Sequence, residues 1–212
     1  MRTAGLLCTL GFCCLLQCAC ADRSRDAAQT YVVRPEDTLY SIAWRHDLDY
    51  RDLARWNHIG ADFRISVGQV LSLSPGARSR REAAIQSTPR LGAAPWVWPT
   101  DPAGAARGSP GGGIFLSGHL GQDVRAASAG RVVYTGGGLR GYGNLIIVKH
   151  AANLLSAYAH NSEILVREGQ EVAAGQVIAH MGLGPQQAPL LYFEIRQNGK
   201  PIDPIPFLST EK

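Results

Sequence analysis

From Trp96 to the C-terminus no stretch of this chain holds a helical period, and short β-type runs follow one another instead. They are Arg131-Val-Val-Tyr134, Asn144-Leu-Ile-Ile-Val-Lys149, Leu154-Leu-Ser-Ala-Tyr158, Gln176-Val-Ile-Ala179 and Leu190-Leu-Tyr-Phe-Glu-Ile-Arg196. Glycine pairs and triplets punctuate them, after a glycine-rich stretch from Gly108 to Gly113. The pattern predicts a mostly-β domain over residues 95–210.

Helical spacing is confined to an earlier module, residues 30–74. Tyr31-Val32-Val33 reads as a short strand, Leu39, Ile42 and Ala43 mark one helix, and Asp52-Leu-Ala-Arg-Trp56 marks a second. Val70 to Leu73 alternates as a closing strand. Asp37 reads as the N-cap of the first helix, and Asp47-Leu-Asp49 as the break between the two. Trp44 and Trp56 fit a small core. Between the modules, residues 75–94 lose all apolar period around Arg78, Arg80 and Arg81 and read as a solvated linker. The fold class is therefore α+β overall, a small βααβ module followed by a mostly-β domain.

The N-terminus carries a third signal. Arg2 precedes an apolar run from Leu6 to Leu16 and a small-residue site at Ala19-Cys20-Ala21, the layout of an export signal. Cleavage after Ala19 leaves Cys20 to be acylated, whereas cleavage after Ala21 gives an ordinary secreted chain. The reading carried forward is a lipoprotein signal over residues 1–19 with lipidation at Cys20. All five cysteines lie in the first 20 residues, so the body can form no internal disulfide and offers no thiolate to a metal. A net charge of +4 without a dense basic block gives no reason to expect nucleic acid as a partner.

Tyr31-x-Val33, Asp37-Thr38-Leu39, Ile42-Ala43, Asn57 and Gly68-Gln69-x-Leu71 together resemble a LysM domain. The resemblance implies binding of N-acetylglucosamine-containing glycan, here peptidoglycan, by Asp37, Thr38, Leu39, Asn57 and Ile59. Glu36 and Val67 depart from the glycine and proline usual at those positions. The later domain resembles the lysostaphin/LytM zinc peptidases through Gly130-Arg-Val-Val-Tyr, Gly141-Tyr-Gly-Asn, Tyr158-Ala-His160, Gly175-Gln176 and Phe193-Glu-Ile-Arg196. In active relatives the residues matching His119 and Asp123 bind zinc and the one matching His160 assists catalysis. A His-x-His pair before Phe-Glu supplies a second catalytic imidazole and the last metal ligand.

Here that pair is Leu190 and Tyr192. Residues two apart share a strand face, so both should point into the groove while Leu191, Phe193 and Ile195 face the core. Leucine has no donor atom, and a tyrosine would have to ligate as phenolate against an ordinary pKa of about 10. The site is therefore expected to be degenerate: no catalytic residues, with weak residual zinc at His119 and Asp123. No cofactor is required on this reading. His150 and His180 lie outside the matched ligand positions and read as structural or surface residues. The whole resembles LytM-type activators of cell-wall N-acetylmuramoyl-L-alanine amidases. It implies an outer-membrane lipoprotein facing the periplasm that acts in cell division, with a membrane anchor, peptidoglycan and an amidase as partners. The amidase would dock in the groove of His119, His160, Leu190 and Tyr192. A zinc endopeptidase with an atypical metal site and a wall-binding scaffold are the alternatives.

Overall fold

The computed structural model describes residues 29–75, 96–101, 107–109 and 112–208. The leader, Cys20 and the linker expected over 75–94 lie, apart from Pro75, outside the described residues. The first module runs β1 (Thr30–Val32), α1 (Leu39–Arg45), α2 (Tyr50–Trp56) and β2 (Val70–Ser72), with β1 antiparallel to β2. Helices of seven residues do not persist alone in water, so packing and capping must hold them. The cap of α1 is Thr38 rather than Asp37: Thr38 Oγ1 accepts from the Ser41 amide, and Ser41 Oγ accepts from the Thr38 amide. Asp37 is taken elsewhere, since its carboxylate accepts from the Tyr31 hydroxyl, the Arg34 amide and Arg45. Asp49 caps α2, and Asp47 enters the left-handed region, at φ 53°, where the chain turns between the helices.

Asn57 ties this module together. Its amide donates to the carbonyls of Leu53 and Ser72 and its oxygen accepts from the Ser72 amide, so one side chain locks the end of α2 to β2.

The second module contains β3 (Arg107–Gly108), β4 (Ile114–Ser117), β5 (Asp123–Arg125), β6 (Gly130–Gly136), β7 (Asn144–Lys149) and β8 (Leu154–Ile164). It continues with β9 (Glu171–Val172), β10 (Val177–Met181), β11 (Leu190–Gln197) and β12 (Lys200–Ile202). The main sheet runs β3-β4-β11-β8-β7-β6-β9, with β12 also paired to β11. β8 pairs β11 and β7 along its first half, then leaves that plane and pairs β10, which in turn pairs β5. The bend falls at His160, whose φ of 65° lies in the left-handed region.

Alternation gives the sheet two different faces. Val132, Ile146, Val148, Tyr158, Leu191, Phe193 and Ile195 pack inward with Val124, Ile178 and Met181 from the β5–β10 layer. The opposite face is covered by the first module. One buried cluster runs from Leu39, Ile42 and Leu53 to Val133, Ile147, Leu155 and Ala157.

Candidate functional site

Three of the four expected groove residues come from neighbouring interior strands, His160 from β8 and Leu190 and Tyr192 from β11, which lies between β8 and β4. Leu190 lies across from Ser117 on β4, and Tyr192 lies across from Phe115 on β4 and Ala159 on β8. Gly182 joins His160 to Leu190: its amide donates to the His160 carbonyl, and its carbonyl accepts from the Leu190 amide. A Cβ at Gly182 would stand 2.6 Å from that His160 oxygen, so the close approach requires glycine. The His160 amide donates to the Tyr142 carbonyl, and burial lowers the pKa of its imidazole. Leu190 forms one wall of a 370 Å³ cavity with Phe115, Ser117 and the turn from Gly184 to Pro189.

His119 is exposed in the turn after β4, its amide donating to Gln122 Oε1. Asp123 opens β5 and pairs with Arg125 at 2.9 Å. Its cross-strand neighbour is His180, with Nε2 at 3.8 Å from Asp123 Oδ1 and Nδ1 at 3.3 Å from Glu163. Sequence reading placed His180 outside the site, because its proximity to Asp123 comes from the β10–β5 register rather than from spacing along the chain.

Tyr192 points away from solvent and is 7% exposed. Its ring lies between Phe115 and Tyr142, with centroids at 5.2 and 5.8 Å, and fills the space where a Gly113 Cβ would stand. Its hydroxyl donates to Glu194 Oε2 at 2.7 Å, and Arg196 Nε donates to the other oxygen, Oε1, at 2.6 Å. Glu194 and Arg196 are themselves buried. Arg196 then reaches the first module, donating to the Trp44 carbonyl at 2.8 Å and pairing with Asp47 at 3.0 Å. Its guanidinium also stacks 3.8 Å from the Trp44 ring centroid.

A zinc site does not fit this donor set. Burial, reinforced by the charge of Glu194, raises the Tyr192 pKa, so the phenolate that a metal would need is disfavoured. Its proton already serves Glu194, Leu190 offers no donor, and Asp123 is engaged by Arg125. Among the described residues no group of three His, Cys, Asp or Glu side chains is arranged to hold a metal ion.

The residues expected to meet glycan occupy different places. Leu39 is buried, Asn57 is committed to the β2 lock, and Asp37 to the Tyr31–Arg45 contacts. Thr38 and Asp37 line a 670 Å³ cavity whose far wall carries Arg131, Lys149 and Glu168 of the second module. Ile59 is partly buried against the shared core. Glu194 and Arg196 are the residues that sequence reading left without a role. Charges alternating with Phe193 and Ile195 read as a strand with one solvated face, and the packing of the first module over that face is what buries them.

His150 is a separate structural feature. Nδ1 donates to the Ala129 carbonyl at 2.8 Å, Nε2 meets Ser156 Oγ at 2.7 Å, and Ser156 meets the Tyr158 hydroxyl at 3.0 Å. Burial lowers its pKa to about 4.

The profile of the LysM domain matches residues 31–74, and that of Peptidase family M23 matches residues 109–204. The chain is 38% identical to a Pseudomonas aeruginosa protein named Lipoprotein NlpD/LppB homolog, over 90% of this chain and 80% of that one. It is 36% identical to the Escherichia coli protein named Uncharacterized lipoprotein YgeR, covering 98% and 93%. Identity to the E. coli Murein hydrolase activator NlpD is 34%, covering 86% and 68%. The structure of an M23 peptidase from P. aeruginosa superposes with a TM-score of 0.51 at 24% identity over 68% of each chain, a likeness of fold.

Proposed function

The chain belongs to the NlpD/LppB-like family, in which a LysM domain precedes an M23 domain, and from that premise we propose that it is a non-catalytic activator of a cell-wall amidase. The observation that carries this reading is the conversion of a metal-ligand position: Tyr192 has its hydroxyl bonded to a buried carboxylate instead of a metal. Without an ordered metal there is no acidified water, and without an imidazole at Leu190 there is no second proton carrier. What survives is shape. The cavity beside Leu190 is lined mainly by apolar residues, Phe115, Pro185, Ala188 and Pro189 among them, with Ser117 and Gln186 as polar side chains, which suits a short segment of a partner protein.

In this account an amidase, an N-acetylmuramoyl-L-alanine hydrolase, inserts a regulatory segment into the groove of His119, His160, Leu190 and Tyr192. Binding favours the open state of the enzyme by the difference in affinity between its open and closed forms. The LysM domain holds the pair on peptidoglycan and raises their effective concentration. Acylation at Cys20 places the chain in the cell envelope, facing the periplasm from the outer membrane. The names of the relatives, lipoproteins and a murein hydrolase activator, support this assignment.

Binding of the purified mature chain to purified amidases, followed by titration calorimetry, tests the docking site. Leu190→Asp puts a charge on the apolar wall and is expected to weaken binding at least tenfold, while leaving the melting transition cooperative. Unchanged affinity in that variant contradicts the groove as the docking site.

A further inference from the structure

The LysM domain contacts the M23 sheet on the face that carries Tyr192, Glu194 and Arg196. This contact has the anatomy of an interface between separate proteins: an apolar centre, a charged rim and unfilled space at its margins. The centre is the cluster that joins Leu53 and Ile42 to Ile147 and Leu155. At the rim, Lys149 Nζ lies 5.1–5.8 Å from the ring centroids of Tyr40, Tyr50 and Phe63, and Lys200 donates to the Asp47 carbonyl. The Asn198-Gly199 turn abuts the loop between α1 and α2, so that a Cβ at Gly199 would stand 2.3 Å from the Leu48 carbonyl carbon. Cavities of 520 and 670 Å³ remain between the domains on either side of the contact.

Both cavities are bounded on the LysM side by Asp37, and the larger also by Thr38. The M23 strand β6 supplies Tyr134 to one and Val132 and Val133 to the other, and α1 packs against that strand between them. A glycan strand is an extended polymer. A strand bound at the Asp37–Thr38 turn would meet Val132 and Val133 of β6, which face that turn across the larger cavity.

We propose that the LysM domain is an intramolecular clamp on the M23 sheet, and that binding of a glycan strand and closure of the clamp exclude one another. The clamp also controls the groove. Trp44 packs edge-on against Tyr142 at 6.5 Å, and Tyr142 covers Tyr192 at 5.8 Å. Release of Trp44 frees Tyr142 and uncovers the groove floor together with the apolar sheet face around Ile147 and Leu155. A chain off the wall stays closed, and a chain on the wall presents its docking surface. This inference rests on the LysM domain's binding glycan and on the groove's role as docking site.

Gly199→Asn is the decisive variant. Residue 199 sits at φ 76° in the hairpin turn, a conformation asparagine tolerates, so the turn survives while the new side chain wedges the domains apart. Gly175→Asn is its control, at φ 78° with nothing within 4 Å of the added Cβ. Hydroxyl-radical footprinting of the full mature chain reads exposure of Trp44, which is 2% exposed in the closed form. Trp44 labelling is expected to rise several-fold in Gly199→Asn without ligand, and in the wild type and Gly175→Asn only on adding chitohexaose. Gly199→Asn should also bind chitohexaose several-fold more tightly, because the cost of opening is removed.

Shielded Trp44 in Gly199→Asn, at unchanged helix content, overturns the clamp. Binding of chitohexaose to the wild type without exposure of Trp44 overturns the exclusion. If Gly199→Asn exposes Trp44 yet binds no chitohexaose, the glycan reading fails and the exclusion with it, while the clamp stands. Amidase stimulation, measured separately, reports on the groove's role and not on the clamp.

Discussion

Tyr192 donates a hydrogen bond to Glu194 and so completes a buried polar chain that continues through Arg196 to the Trp44 carbonyl. Tyr192→Phe should cost about 2 kcal/mol, one hydrogen bond to a buried carboxylate, in urea unfolding. Glu194→Ala removes the buried carboxylate from both Tyr192 and Arg196, leaves Arg196 only the more exposed Asp47 as an ion-pair partner and should cost about 3 kcal/mol or more, and equal effects of the two would contradict the chain as described. Leu190→His combined with Tyr192→His restores both imidazoles, and Glu194 is already placed to orient the second. Mass spectrometry of the metal content should show zinc in that double variant well above the wild type. His150 gives a pH test. Its pKa is lowered from 6.5 to about 4, so the folded chain refuses a proton that the unfolded chain accepts. The His150 contribution is expected to be complete above pH 6.5 and to fall as pH drops toward 4, by roughly 3 kcal/mol, below which it levels off. His150→Gln should flatten that window. The positions of His119, Asp123, His160, Leu190 and Tyr192 as candidates follow from motif spacing along the chain. The contact of Arg196 with Trp44 was not legible, since it joins residues 152 positions apart through the packing of two domains.

Individual elements were readable where their own residues determine them. The longer strands β6, β7, β8, β10 and β11 announce themselves through β-branched and apolar runs, and the structure extends β8 well beyond the run that marks it. The two- to four-residue strands β3, β4, β5, β9 and β12 carry too little sequence for any period and exist because longer neighbours pair with them. The cap of α1 shows the same division. Asp37 and Thr38 are both good capping residues, and the choice fell to Thr38 because Tyr31 and Arg45 claim the aspartate. At this scale Asn57 is the residue to test. Asn57→Ala removes two hydrogen bonds to β2 and one to Leu53 of α2 and should destabilise the LysM domain by about 2–3 kcal/mol in denaturant titration. Loss of glycan binding in that variant would then follow unfolding, and it should return under conditions that restore the fold.

For the whole molecule, the two modules and their order were legible in composition and period, but their mutual packing was not. The LysM domain covers one face of the M23 sheet, and β11 serves as core on one side and as interdomain clamp on the other. That double burial explains why a strand so rich in apolar residues also carries Glu194 and Arg196. The same arrangement links the wall-binding domain to the groove through Trp44, Tyr142 and Tyr192. The central claim, an M23 domain that acts through a partner rather than by its own hydrolysis, meets its most direct test in release of dye-labelled fragments from purified peptidoglycan. The mature chain is added alone, with zinc, and with a purified amidase. The account predicts no release by the chain alone or with zinc, and a large increase in release by the amidase when the chain is present. Zinc-dependent release by the chain alone would contradict it.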